Sequence, residues 1–160
     1  MHPSRRSLGF IVAAPVLLHF APSAWASGIR MVVFRDENCG CCGDWVEHIR
    51  AAGFEVEVRV HPSMNRKKTE LGIPPEVRSC HTAEIGGYLV EGHVPADEIR
   101  RLLATRPDAR GLAVPRMPVG SPGMEVEGVA PDRYDVLLFQ EQGSAVWATY
   151  RGTERQPGPT

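Results

Sequence analysis

Nothing in this chain gathers positive charge. Its 160 residues carry 18 lysines and arginines against 19 aspartates and glutamates, a formal net charge of −1. No basic patch emerges, so the electrostatic footprint of a nucleic-acid binder is missing. The chain also lacks an apolar run long enough to cross a bilayer as a mature helix. The nearest candidate, Leu8 to Phe20, is broken by Pro15 and His19 and falls short of the roughly 20 residues a span needs. Cysteine is sparse, with four residues. Carboxylates are scarce in the segments that carry them, which disfavours calcium or magnesium.

The N-terminus has the form of a cleaved leader. Arg5 and Arg6 precede the apolar run, and Ala24-Trp25-Ala26 has the small-x-small form of a signal-peptidase site. Ser4-Arg5-Arg6-Ser7-Leu8 also has the look of a twin-arginine signal. The expected layout is a signal peptide over residues 1–26, one domain over 27–152 and a disordered tail over 153–160. The leader holds two of the basic residues and none of the acidic ones, which leaves the mature chain at −3. No membrane is expected in the mature form.

Three of the four cysteines fall in Cys39-Gly40-Cys41-Cys42, a CxCC motif, and the fourth, Cys80, precedes His81. In an exported chain four cysteines usually mean two disulfides. The spacing argues otherwise: Cys41 and Cys42 are adjacent, and at most one clustered thiol could pair with Cys80. A second bridge would have to form inside the cluster, which is the geometry of a redox motif.

Read in order, Ile29 to Phe34 is a buried strand and the cysteine cluster opens a helix carrying Trp45, Val46, Ile49 and Ala52 on one face. Phe54 to Val60 alternates as a half-buried strand, and Met64 to Leu71 is a polar helix. Two short strands between Cys80 and Glu91 join at Gly86-Gly87. A helix starts at Pro95 and ends by Arg106, with its arginines and glutamates read as a solvated face. Asp108 to Arg133 is a long Met/Pro/Gly loop, and a β-hairpin over Val136–Phe139 and Ala145–Tyr150 closes the domain. The order β-α-β-α-β-β-α, with a CxxC at a helix start, describes an α/β, thioredoxin-like single domain.

That topology brings distant residues together. The first two strands run parallel, the third reverses and the fourth returns. Cys39, Cys41 and Cys42 then share one sheet edge with Cys80 and His81, at the start of the third strand, and with His93, just past the fourth. The helix N-terminus favours thiolate over thiol there. Soft thiolate with imidazole suits Cu(I) or zinc. One tetrahedral zinc needs four ligands, and six candidates with crowded thiols point to bridged, multinuclear Cu(I). Met117 and Met124, in the loop, offer thioethers, which prefer Cu(I). His48 reads as a solvated helix residue and His61 as a weaker candidate at the right edge.

Cys39-Gly-Cys-Cys-Gly-Asp-Trp45, Ser79-Cys-His-Thr82, Tyr88-Leu-Val-Glu-Gly-His-Val-Pro95 and Gly120-Ser-Pro-Gly-Met124 together resemble the CopG-like family of bacterial copper proteins, formerly a domain of unknown function. The resemblance runs from about Met31 to Met124. It implies a periplasmic, thioredoxin-like protein of copper resistance that binds copper through cysteine and histidine, with a redox role between Cu(I) and Cu(II). By motif match the ligand set carries to Cys39, Cys41, Cys42, Cys80, His81 and His93. One departure is Arg116, where a small residue is expected before Met-Pro.

The expected function is copper binding, with a periplasmic electron-transfer or copper-transfer protein as partner, and a copper oxidoreductase activity is kept open beside it. The alternative is a thiol–disulfide oxidoreductase using Cys39 and Cys42. Against it, Cys41 would compete in any exchange, and Ser79-Cys80-His81 occupies the usual cis-proline position.

Overall fold

The computed structural model describes residues 30–158, so the signal peptide expected at 1–26 lies outside the described residues. Twelve elements follow in order: β1 (Arg30–Arg35), α1 (Gly40–Ala51), β2 (Glu55–Val60), α2 (Met64–Glu70), a 3-10 turn (Pro75–Val77), β3 (Thr82–Ile85), β4 (Tyr88–Glu91), α3 (Ala96–Thr105), β5 (Gly111–Ala113), β6 (Arg133–Phe139), β7 (Ser144–Arg151) and β8 (Glu154–Gln156). All eight strands form one mixed sheet in the order β2-β1-β3-β4-β5-β6-β7-β8.

The first four strands take the directions expected from the sequence. β1 and β2 are parallel, β3 is antiparallel to β1, and β4 is antiparallel to β3. The β3–β4 turn is tight because Gly86 and Gly87 both hold positive φ, at 56° and 87°, a conformation glycine adopts without steric cost.

The main core lies on the sheet face covered by α1 and α3. Trp45 and Ile49 of α1 pack with Met31 and Val33 of β1, and Ile99 and Leu102 of α3 complete it. A smaller cluster of Ile73, Val77, Leu89, Ala113 and Phe139 covers the other face. β4 is therefore buried on both sides, with Val90 in one cluster and Leu89 in the other.

Three expectations are corrected. The segment Asp108 to Arg133 is not all loop: β5 pairs in parallel with β4 and joins the terminal hairpin to the main sheet. Gly111 makes this possible, because a Cβ there would stand 1.8 Å from the Leu89 carbonyl oxygen. Three residues in a Pro/Gly-rich stretch carry no readable periodicity. Next, the tail is not wholly frayed, since Glu154–Gln156 pairs with Thr149–Arg151 as β8. Finally, α3 is not a purely solvated charged face. Glu98 is 2% exposed and accepts from Tyr150 Oη and Trp147 Nε1, each at 2.8 Å, so it ties α3 to β7.

Candidate metal centre

β1 ends in a turn that fixes the first cysteine. The Asn38 amide donates to Asp36 Oδ1 at 2.9 Å, and the Cys39 amide donates to the Asp36 carbonyl at 3.3 Å. Arg35 reaches over the turn and donates from Nη1 to the Cys39 carbonyl at 2.6 Å. Cys39 is then the N-cap of α1, and Cys41 and Cys42 lie in its first turn.

Cys39 and Cys42 are joined by a disulfide, and Cys41 and Cys80 are free. The sequence reading offered all four sulfurs as ligands; two of them are bonded to each other here. The four Sγ atoms nevertheless lie within 4.8 Å of one another. Cys39 Sγ and Cys41 Sγ are 3.6 Å apart.

Cys80 also belongs to a second group. Its Sγ is 3.2 Å from His81 Nδ1 and 3.1 Å from His93 Nε2. The convergence expected from the topology is therefore present for all six residues. Tetrahedral bonds of about 2.3 Å to sulfur and 2.0–2.1 Å to nitrogen would put these donors about 3.6 Å apart. An ion would thus need them to spread by about 0.4–0.5 Å relative to the separations given above.

The imidazoles are arranged as neutral donors. His93 Nδ1 lies 2.8 Å from the Pro122 carbonyl oxygen. A carbonyl only accepts, so Nδ1 holds the proton and the Nε2 lone pair faces Cys80. Burial lowers the His93 pKa. His81 is fully buried, and burial, with His93 and Lys68 nearby, holds its pKa well below the usual value. Among the described residues, His81 Nε2 has no hydrogen-bond partner. The Trp45 ring packs 4.3 Å from the His81 ring and donates from Nε1 to the Val94 carbonyl at 2.9 Å.

The thiol at the junction behaves differently from a thiol at a helix start. Burial, and next the nearby Cys41, push the Cys80 pKa up to about 12. The helix dipole expected to favour thiolate acts at α1, whereas Cys80 sits in the loop before β3.

The loop motif Gly120 to Met124 closes over this edge. Pro122 holds His93, and Gly123 abuts α1 so closely that a Cβ would stand 2.5 Å from the Trp45 amide nitrogen. Met124 is partly buried beside it, and Met117 is 49% exposed. His48 is not a solvated residue: its Nε2 accepts from the Ala96 amide at 3.2 Å, at the start of α3. His61 is taken up by a turn with Ser63, 2.9 and 3.2 Å away, and joins neither ligand group. Arg116, the departure noted above, holds a left-handed φ of 63°, a conformation that favours glycine.

Sequence reasoning missed a buried pair beneath the ligands, Lys68 and Glu91, whose Nζ and Oε1 are 2.5 Å apart. A lysine in a polar helix gives no sign of burial.

The fold and site define a mixed α/β domain with a Cys/His cluster capable of metal binding. A family model described as "Protein of unknown function, DUF411" matches residues 77–124, which include Cys80, His81 and His93. The solved structure "Copper resistance protein copG- Form 1" matches at 47% identity with a TM-score of 0.71, covering 78% of this chain and 98% of that one. "Copper resistance protein copG- Form 2" matches at the same identity and TM-score, covering 76% and 98%. The chain belongs to this CopG-like family. A comparison with curated proteins returned no match.

Proposed function

We propose that this protein binds Cu(I) at the Cys/His centre as part of copper resistance, in the periplasm after export. The observation that carries the reading is Cys80: one sulfur shared between a four-sulfur group and two neutral imidazoles. Soft donors with no carboxylate among them suit Cu(I). The solved relatives are copper resistance proteins by their description. The β2-β1-β3-β4 order, with a helix starting at the Cys39–Cys42 pair, supports a thioredoxin-like core.

The disulfide sets the capacity of the site in this reading. With it closed, Cys41, Cys80, His81 and His93 remain as donors. With it reduced, six donors are available, and thiolates can bridge more than one copper. Cycling between Cu(I) and Cu(II), with a periplasmic electron-transfer or copper-transfer protein, completes the proposal.

The Cys39–Cys42 disulfide favours a second reading, a thiol–disulfide oxidoreductase. Anaerobic Cu(I) titration and an insulin-reduction assay separate the two. The copper reading expects reduced protein to take up more than one Cu(I) per chain and oxidised protein to take up less. A single zinc per chain with no copper, or rapid insulin reduction that survives Cys41→Ser, overturns it.

A further inference from the structure

Two charged residues lie buried under the ligand turn. Lys68 is 2% exposed and is the buried residue of α2, while Glu91, at the end of β4, is fully buried. Besides Glu91 Oε1, the Lys68 ammonium reaches Thr82 Oγ1 at 2.9 Å. The carboxylate of Glu91 accepts twice more. The Ser79 amide donates to Oε1 at 2.6 Å, and Thr82 Oγ1 donates to Oε2 at 2.5 Å.

These bonds bracket two ligands. Ser79 precedes Cys80 and Thr82 follows His81, so one carboxylate grips both ends of the turn. The next residue adds a third bond, from the Gly92 amide to the His81 carbonyl at 3.0 Å. His93 follows directly and brings its Nε2 to within 3.1 Å of Cys80. Gly92 must be glycine for this fit: its φ is +71°, and a Cβ would stand 2.5 Å from Ser79 and from the Val114 carbonyl.

Stability alone does not account for the pair. A buried ion pair is often no more stabilising than apolar residues of similar volume. What an apolar pair cannot do is accept from a backbone amide and a hydroxyl at once. A buried carboxylate can, provided a cation offsets its charge.

We propose that Glu91, with Lys68 as its counter-charge, is a positioning residue of the metal centre that fixes Cys80 and His81 against His93. One arm of the test rests on the copper reading above; the other does not.

The variant Lys68→Met/Glu91→Leu removes both charges together with the acceptor that brackets the turn, and leaves neither charge buried alone. Urea denaturation checks that it is folded. Cu(I) affinity is read by competition with a colorimetric chelator. In metal-free protein, the rate at which iodoacetamide modifies Cys80 is read by mass spectrometry, with Cys41 as internal control. The expected affinity loss is about 10- to 100-fold, the usual effect of removing a partner that orients a ligand. Cys80 should react several-fold faster while Cys41 keeps its rate. Thr82→Val removes one donor from the bracket and should shift both readouts the same way, by less. A folded double variant, or a Thr82→Val protein, with the parent's copper affinity and Cys80 rate overturns the inference. If the parent binds no Cu(I), the copper reading fails and the Cys80 rate alone decides the positioning role.

Discussion

With the Cys39–Cys42 disulfide closed and Cys41 replaced by alanine, Cys80 is the one thiol left among the four cysteines. Burial is the largest cause that pushes its pKa up to about 12, and it persists when Cys41, whose charge and hydrogen bond are smaller causes, is removed. Cys80 therefore stays protonated from pH 7 to 9. His81 and His93 have lowered pKa values and are neutral over the same range. A Cu(I) ion that takes Cys80, His81 and His93 must then displace one proton, from Cys80. Its apparent affinity should rise about tenfold per pH unit, or about 100-fold between pH 7 and 9. Acidification below 6.5 should not steepen the slope at once, because both imidazoles hold their lone pairs to lower pH. The assay is anaerobic chelator competition at fixed pH values, with proton release followed in weak buffer by an indicator dye. Cys80→Ser in the same background should remove the dependence along with most of the affinity. A change of less than about threefold across the range would mean that Cys80 is already a thiolate, and would refute the argument.

Two further outcomes follow from packing. Glu98→Ala strips the buried Tyr150 hydroxyl and the Trp147 indole N–H of their acceptor, at about 1–3 kcal/mol each, so urea unfolding should show a loss of about 2–6 kcal/mol. A loss under about 1 kcal/mol would mean that those groups find other partners. Gly123→Ala places a Cβ 2.5 Å from the Trp45 amide at a φ of +80°. It should destabilise by about 1–3 kcal/mol and weaken copper binding, because Pro122 next to it holds His93. Gly128→Ala, with a φ of +76° but open space around it, should cost only the backbone strain of about 1–2 kcal/mol and leave copper binding unchanged.

The sequence carried the core strands, all three helices and the meeting of six ligand candidates, because periodicity and strand direction decide these. Other features depend on what sequence does not encode locally. β5 is recognisable only once Gly111 is seen against Leu89. Lys68 and Glu98 sit in helices whose charged residues otherwise face water, so their burial shows only through distant partners. The high pKa of Cys80 follows from burial in a loop, where a helix-dipole argument made for Cys39 to Cys42 does not reach. Whether Cys39 and Cys42 are bonded depends on redox conditions, to which motif spacing is indifferent.

The disulfide spans a sequence separation of three, whereas Cys80 lies some 38 residues beyond Cys42 in the chain. Closing so short a loop needs no long-range contact, while reaching Cys80 requires the β1–β3 pairing to exist first. A chain emerging N-terminus first can therefore choose its bridge before the fold is complete. Adjacency in the chain is enough to bring Cys39 and Cys42 within reach of each other, whereas Cys80 meets the cluster and the histidines only in the finished architecture.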